Sequence, residues 1–239
     1  MVKKLHNMRR FAKLITQKHD EEDIHQFRVN YKKVRALLRM MHYSHHKKLL
    51  PKKIKQLYTA AGVTRDLQLH YTTVSNYFGQ GQVMPVVYIN HILQAISQAS
   101  DDFDRLYTHC SFTRLSQIIK VRTPHKYHKK LKQWQEDNVQ AISSKQLQEP
   151  TDDAIHEIRK HVKDLLYTRK YLHLEKDYNP IAKSTGSYID QCVLLALLDA
   201  YISFAPEAEQ ALLRDARVQW QKQKALLKDE ILQEIRKMV

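Results

Sequence analysis

Residues 24–41 read IHQFRVNYKKVRALLRMM. The stretch has no Gly or Pro, and its apolar residues return every three or four positions, which predicts an amphipathic helix. At about 100° per residue, His25, Arg28, Lys32, Arg35 and Arg39 project within an arc of roughly 80°. Ile24, Phe27, Val34, Leu37, Leu38 and Met41 fill the neighbouring arc. One side is built for a core, and beside it runs a stripe of one His and four cations. Like charges at helical-neighbour spacing repel, so an anionic partner would relieve this edge.

Residues 155–172, IHEIRKHVKDLLYTRKYL, repeat the pattern. Ile24, His25, Arg28 and Lys32 return as Ile155, His156, Arg159 and Lys163, and Arg39 is matched in charge by Lys170. A second element also recurs, because Gly62 and Asp66 have the same spacing as Gly186 and Asp190. Identities that fall on one helix face, with charge kept, indicate an internal duplication.

The rest of the chain agrees with a helical reading. Four Gly and six Pro in 239 residues leave little material for tight turns, which disfavours a strand-rich fold. Lys and Arg number 40 against 25 Asp and Glu, a formal charge of +15. Such an excess attracts polyanions from a distance: nucleic acid, anionic membrane or a phosphate polymer. Cys110 and Cys192 sit in apolar helical patterns and are expected as buried free thiols, in keeping with a cytoplasmic setting. The start, MVKKLHNMRRFAKL, lacks the apolar run of a secretory signal. The longest apolar run, residues 193–198, falls far short of the ~20 residues of a membrane span, so a soluble protein is expected.

In chain order, residues 5–18 predict a short basic helix with Leu5, Met8, Ala12 and Ile15 inward. The acidic run at residues 20–23 supplies a cap and complements the dipole of the helix after it. Pro51 opens another helix, with Gly62 allowing a close approach or a kink, and Arg65 and Asp66 come just after that glycine. A helix over residues 86–100 is expected to stop at a Ser100-Asp101-Asp102 cap that starts the next. The basic stretch over residues 112–148, with Lys120, Arg122 and Lys126, holds one helix between Pro124 and Pro150, and the halves meet near Arg122. Thr151, Asp152 and Asp153 cap the second His helix. Pro206 opens a terminal helix over residues 207–238, with Ala211, Leu212, Val218, Ala225, Leu226 and Ile231 expected inward.

His-x-x-Arg-x-x-x-Lys opening a long helix, then Gly-x-x-Arg-Asp on the next, with the set largely repeated, resembles the CHAD family, whose name stands for conserved histidine α-helical domain. The resemblance spans residues 1–239 as a single domain made of halves 1–121 and 122–239. It implies an all-α fold of two related antiparallel four-helix bundles around a basic central groove or pore that binds inorganic polyphosphate without catalysis. By position, His25, Arg28, Lys32 and Arg35 would line the groove from one half and His156, Arg159 and Lys163 from the other. Arg65 and Asp66 match the family's Arg-Asp pair. Leu166 stands where a counterpart of Arg35 is expected, with Arg169 or Lys170 as compensation, and Ile189 departs from the pattern before Asp190. The Glu-x-Glu-x-Lys strand of the triphosphatase domain fused to some members is absent, so no enzymatic role is carried over.

The chemistry of the stripe suits a flexible polyanion. Arg grips two phosphate oxygens through its planar fork and Lys adds a mobile point charge. A lone His would more often cap or pack its helix start; recurrence beside the same Arg and Lys turns the balance towards phosphate contact for His25 and His156. A solvated helix face usually mixes signs, as residues 207–238 do, whereas this stripe carries no acid. Asp66 and Asp190 are expected to position cations. His42, His45 and His46 lack the further ligands of a metal site, and no cofactor is expected. The runner-up is an RNA- or DNA-binding helical module, for which no reading motif is found. Polyphosphate granules are a candidate location within the cytoplasm, and the sequence leaves the oligomeric state open.

Overall fold

Scarce Gly and regularly spaced apolar residues give a chain of helices in the computed structural model, which describes residues 2–41, 50–79, 81, 83–113, 128–144, 150–174 and 177–238. The His42, His45 and His46 group, the boundary near Arg122, and Lys120 and Lys126 lie outside the described residues. Among the described residues there are eight α-helices and no strand. They are α1 (Val2–Lys18), α2 (Glu21–Met41), α3 (Lys52–Phe78), α4 (Val86–Thr108), α5 (His128–Ser143), α6 (Asp152–Leu172), α7 (Asn179–Tyr201) and α8 (Glu207–Met238). A 3-10 turn, Ile202–Phe204, comes after α7.

Local chemistry fixes several helix ends. The Asp20 carboxylate accepts hydrogen bonds from the backbone N–H groups of Glu22 and Asp23 at 2.9 and 3.2 Å, satisfying two donors that the first turn of α2 leaves open. The Thr151 hydroxyl does the same for Ala154 at 3.2 Å ahead of α6. Where a glycine would usually end a helix, this chain uses histidine. His19 and His173 come after α1 and α6 in the left-handed region, with φ of 48° and 52°, and their N–H groups return to the carbonyls of Ile15 and Arg169.

Helix α3 runs unbroken through Gly62, which leaves the close approach, of the two readings open at that glycine. Two features differ from the sequence reading. Helix α4 continues past Ser100, which is buried, because Phe103 beyond it belongs to the core and draws the helix onward. On α8 the inner line is Leu213, Ala216, Trp220, Ile231 and Ile235; Val218 and Leu226 are 48% and 65% exposed. Ala211 and Ala225 are exposed as well, so of the expected inward set only Ile231 is fully buried.

Apolar side chains gather in three main clusters. The first joins Leu5, Met8, Ala12 and Ile15 of α1 to Ile24, Phe27, Tyr31, Val34 and Leu38 of α2, with contributions from α3 and α4. The second joins stretches far apart in the chain: Val74, Phe78, Tyr88 and Ile92 pack with Leu194, Leu195, Leu198, Leu213 and Trp220. The third joins Ile155, Ile158, Val162 and Leu165 of α6 to α5, α7 and α8. A smaller contact brings Leu37 and Met40 of α2 against Trp134 of α5. Residues 179–204 form a segment long and apolar enough to cross a membrane by length and composition, which the short run at 193–198 did not suggest. Its leucines are shared with α3, α4 and α8 in the second cluster. Cys110 and Cys192 are free and half-buried.

Packing between the repeated helices brings the two copies of each motif together. Helix α2 packs on α6, and α3 packs on α7. The two His-bearing helices are therefore neighbours, and so are the two that carry Gly-x-x-x-Asp.

Candidate functional site

With Ile24, Phe27, Tyr31, Val34 and Leu38 committed to the first cluster, the Arg28-Lys32-Arg35 edge of α2 is turned towards α6. The electrostatics of Lys32 register the result. Its ammonium is pushed down to about 7 by burial first, then by Arg159, Arg28, Lys163 and Arg35. Two of those neighbours lie on its own helix and two on α6. Lys163 is lowered by burial and by Arg159 and Lys33, against the pull of Asp190. Among the described residues, none of Arg28, Lys32, Arg35, Arg159 and Lys163 is paired with a carboxylate. The side-chain Nε atoms of Arg35 and Arg159 are buried with no hydrogen-bond partner, an unsatisfied state that costs the fold stability.

Aromatic faces support the cations in place of acids. Tyr31 and Tyr58 stack with centroids 3.9 Å apart. The Arg28 guanidinium lies 5.1 Å from the Tyr58 ring and that of Arg35 lies 5.9 Å from Tyr31. From α6, Tyr167 sits under two amines, Lys33 at 5.8 Å and Lys163 at 6.0 Å. A cation over a ring gains about 0.5–2 kcal/mol without using its N–H donors. The donors stay available.

Gly62 has a specific job here. A Cβ at that position would run into the Arg28 guanidinium, which lies across α3 at this point. Gly186 faces Arg159 in the same way but at 4.0 Å, an ordinary contact distance. The close approach that the sequence allowed for is thus made by an arginine.

Asp66 does not pair with a cation as the sequence reading expected. Burial raises its carboxyl, as does the nearby Asp190, while Arg28, Lys32 and Arg65 draw it down. It lines a cavity of about 390 Å³ and mixed character between α3, α7 and α8, with His70, Asp190 and Gln191 beside Leu69, Leu194 and Leu227.

The predicted residues separate into groups. Arg28, Lys32, Arg35, Arg159 and Lys163 come together. His25 is a largely exposed neighbour whose imidazole is lowered by partial covering and by Arg65, Lys32 and Arg28 against Glu22. His156 is lowered by burial, then by Lys160 and Arg159, against Glu157 and Asp153. Arg65 pairs with Glu21 at the start of α2. Arg39 bonds the buried Asp164 of α6 at 2.9 Å, so the stripe does meet an acid at its far end, one supplied by the facing helix. Arg169 turns away to the end of α6, where its Nε donates to the Leu174 carbonyl at 3.0 Å and its guanidinium reaches Asp177. Lys170 is exposed.

Lys33, Tyr31, Tyr58 and Tyr167 were missed as site residues. Tyr31 and Tyr58 occupy core spacing on their helices, which hides any second role. Lys33 has no counterpart in the second copy, where Asp164 stands. The signal that was available is the tyrosine three or four residues from a cation on the same helix, Tyr31 beside Arg35 and Tyr167 beside Lys163.

No match was found among curated proteins or among solved structures. A protein-family model, the CHAD domain, matches residues 2–174. That region carries both His helices and the whole cation cluster, covers well over half of the chain, and places this protein in the CHAD-domain family.

Proposed function

We propose that this protein binds inorganic polyphosphate, without catalysis, in a basic groove between α2 and α6. On this reading residues 1–121 and 122–239 are two related four-helix bundles, with α2 equivalent to α6 and α3 to α7. The repeated motifs support it, as does the packing of each of these helices on its own counterpart. Family membership points the same way.

The observation that carries the proposal is the company of Lys32. Its amine has Arg28 and Arg35 beside it and Arg159 and Lys163 opposite. Five cations confined at a helix interface without bonded carboxylates cost the empty protein stability. A chain of phosphates running along the interface would neutralise both walls, and several guanidinium forks would grip successive phosphates. Low-dielectric walls make each contact stronger than on open surface.

Titration with long-chain polyphosphate tests this. Affinity is expected to fall steeply with added salt, as counterion release requires. Arg28→Glu combined with Lys32→Glu should lower affinity on the order of a hundredfold with helical circular dichroism unchanged. Wild-type affinity in that double variant would refute the groove. Displacement of polyphosphate by RNA or DNA at equal phosphate concentration would refute the ligand assignment and favour a nucleic-acid module.

A further inference from the structure

We propose that Lys32 is an acylation site, at which small acyl phosphates held by Arg28, Arg35 and Arg159 transfer their acyl group to the amine. The inference rests on reading the cluster as an anion site, and goes beyond it by assigning one residue a covalent chemistry. Four features combine at Lys32. The amine is surrounded by cations of two helices and bonded to no carboxylate. Lys32 as a residue is partly exposed, its stem more than its amine, at the α2–α6 interface. Its environment holds a large share of it as free amine at neutral pH, the form with a lone pair to attack. Finally, Arg28, Arg35 and Arg159 are bonded to no carboxylate among the described residues. Their guanidinium ends are uncommitted donors for a phosphate that must be held and then released with more negative charge.

The step balances without a co-reactant. The Nζ lone pair bonds to the acyl carbon, and the carbon–oxygen bond to phosphate breaks. Inorganic phosphate leaves with that electron pair, and the surplus ammonium proton passes to it. The product is a neutral amide that can no longer take up a proton, and nothing is oxidised or reduced. Lys163 is lowered as well, by burial and Arg159, but Asp190 opposes that lowering and makes it the less suited of the two amines.

The test uses the full chain with acetyl phosphate at mildly alkaline pH, measuring acetylation at each lysine by peptide mass spectrometry at low conversion. Lys32 is expected to react on the order of tenfold faster than the exposed Lys55 and Lys183. Arg159→Gln should cut that lead several-fold, since it removes a phosphate donor and a like charge together. A neutral acylating ester should show a smaller lead than acetyl phosphate. A rate at Lys32 no higher than at Lys55 and Lys183, in protein with native circular dichroism, overturns the proposal. Equal leads with both reagents overturn the phosphate-holding role. A parallel polyphosphate titration separates the two readings: tight binding with a sluggish Lys32 sinks only the acylation. Rapid acylation with no polyphosphate binding sinks only the polymer assignment.

Discussion

Lys32 shows how one residue can be costly to the empty protein and useful to the filled one. In the unfolded chain its amine titrates near the ordinary 10.5, and in the fold it is lowered to about 7. Between those values the unfolded chain holds a proton that the folded chain has lost, so stability rises with pH through this window. Below about 7 the cost of confining the charge is felt in full. Lys32→Met should therefore raise the melting temperature at pH about 6 to about 7, by an amount worth about 1–2 kcal/mol. The gain should shrink towards about pH 10, and polyphosphate affinity should fall most at and below about pH 7, where the amine is charged. Thermal melts across that range check the sign; a variant less stable than wild type at neutral pH would contradict the repulsion. The sequence disclosed which residues share this edge, since 3.6-residue periodicity is a local property. It did not disclose Asp164 as the partner of Arg39, because that contact joins α2 to a helix far along the chain.

Among elements, the paired glycines give a contrast that repeats alone would not. Gly62→Ala adds helix propensity, worth up to about 1 kcal/mol, and puts a methyl group where the Arg28 guanidinium lies. The arginine is flexible and will move, so stability should hold or rise while polyphosphate affinity drops several-fold. Gly186→Ala meets Arg159 only at ordinary contact distance and should gain stability with affinity unchanged. Equal affinity in both variants would mean that the perch of Arg28 is irrelevant to binding. The terminal helix shows the limit of periodicity. On α8, charged residues surround two sets of apolar positions offset by about one residue, and only tertiary packing selects Leu213, Ala216 and Trp220 over Val218 and Leu226. On α1 and α2 a single apolar line exists, and Leu5, Met8, Ala12, Ile15, Ile24 and Phe27 are all buried as periodicity predicts.

At the scale of the whole molecule, the second apolar cluster takes residues from α3 and α4 as well as α7 and α8. A duplication read from motifs suggests two units that could stand alone; this shared core argues that they cannot. Produced separately, residues 1–121 and 122–239 would each leave large side chains such as Phe78, Tyr88, Leu198 and Trp220 uncovered. Each fragment should show a shallow, poorly cooperative melt, and mixing the two should restore a single steep transition and a species of full mass on size exclusion. Fragments that melt cooperatively on their own would overturn this. The placement of the only two tryptophans has a further consequence. Trp220 lies in the shared cluster and Trp134 against Leu37 and Met40 of α2. Tryptophan emission thus reports on the packing of α3 and α4 with α7 and α8 and of α2 with α5, so a fluorescence signal that shifts before circular dichroism does would report these contacts loosening ahead of helix melting.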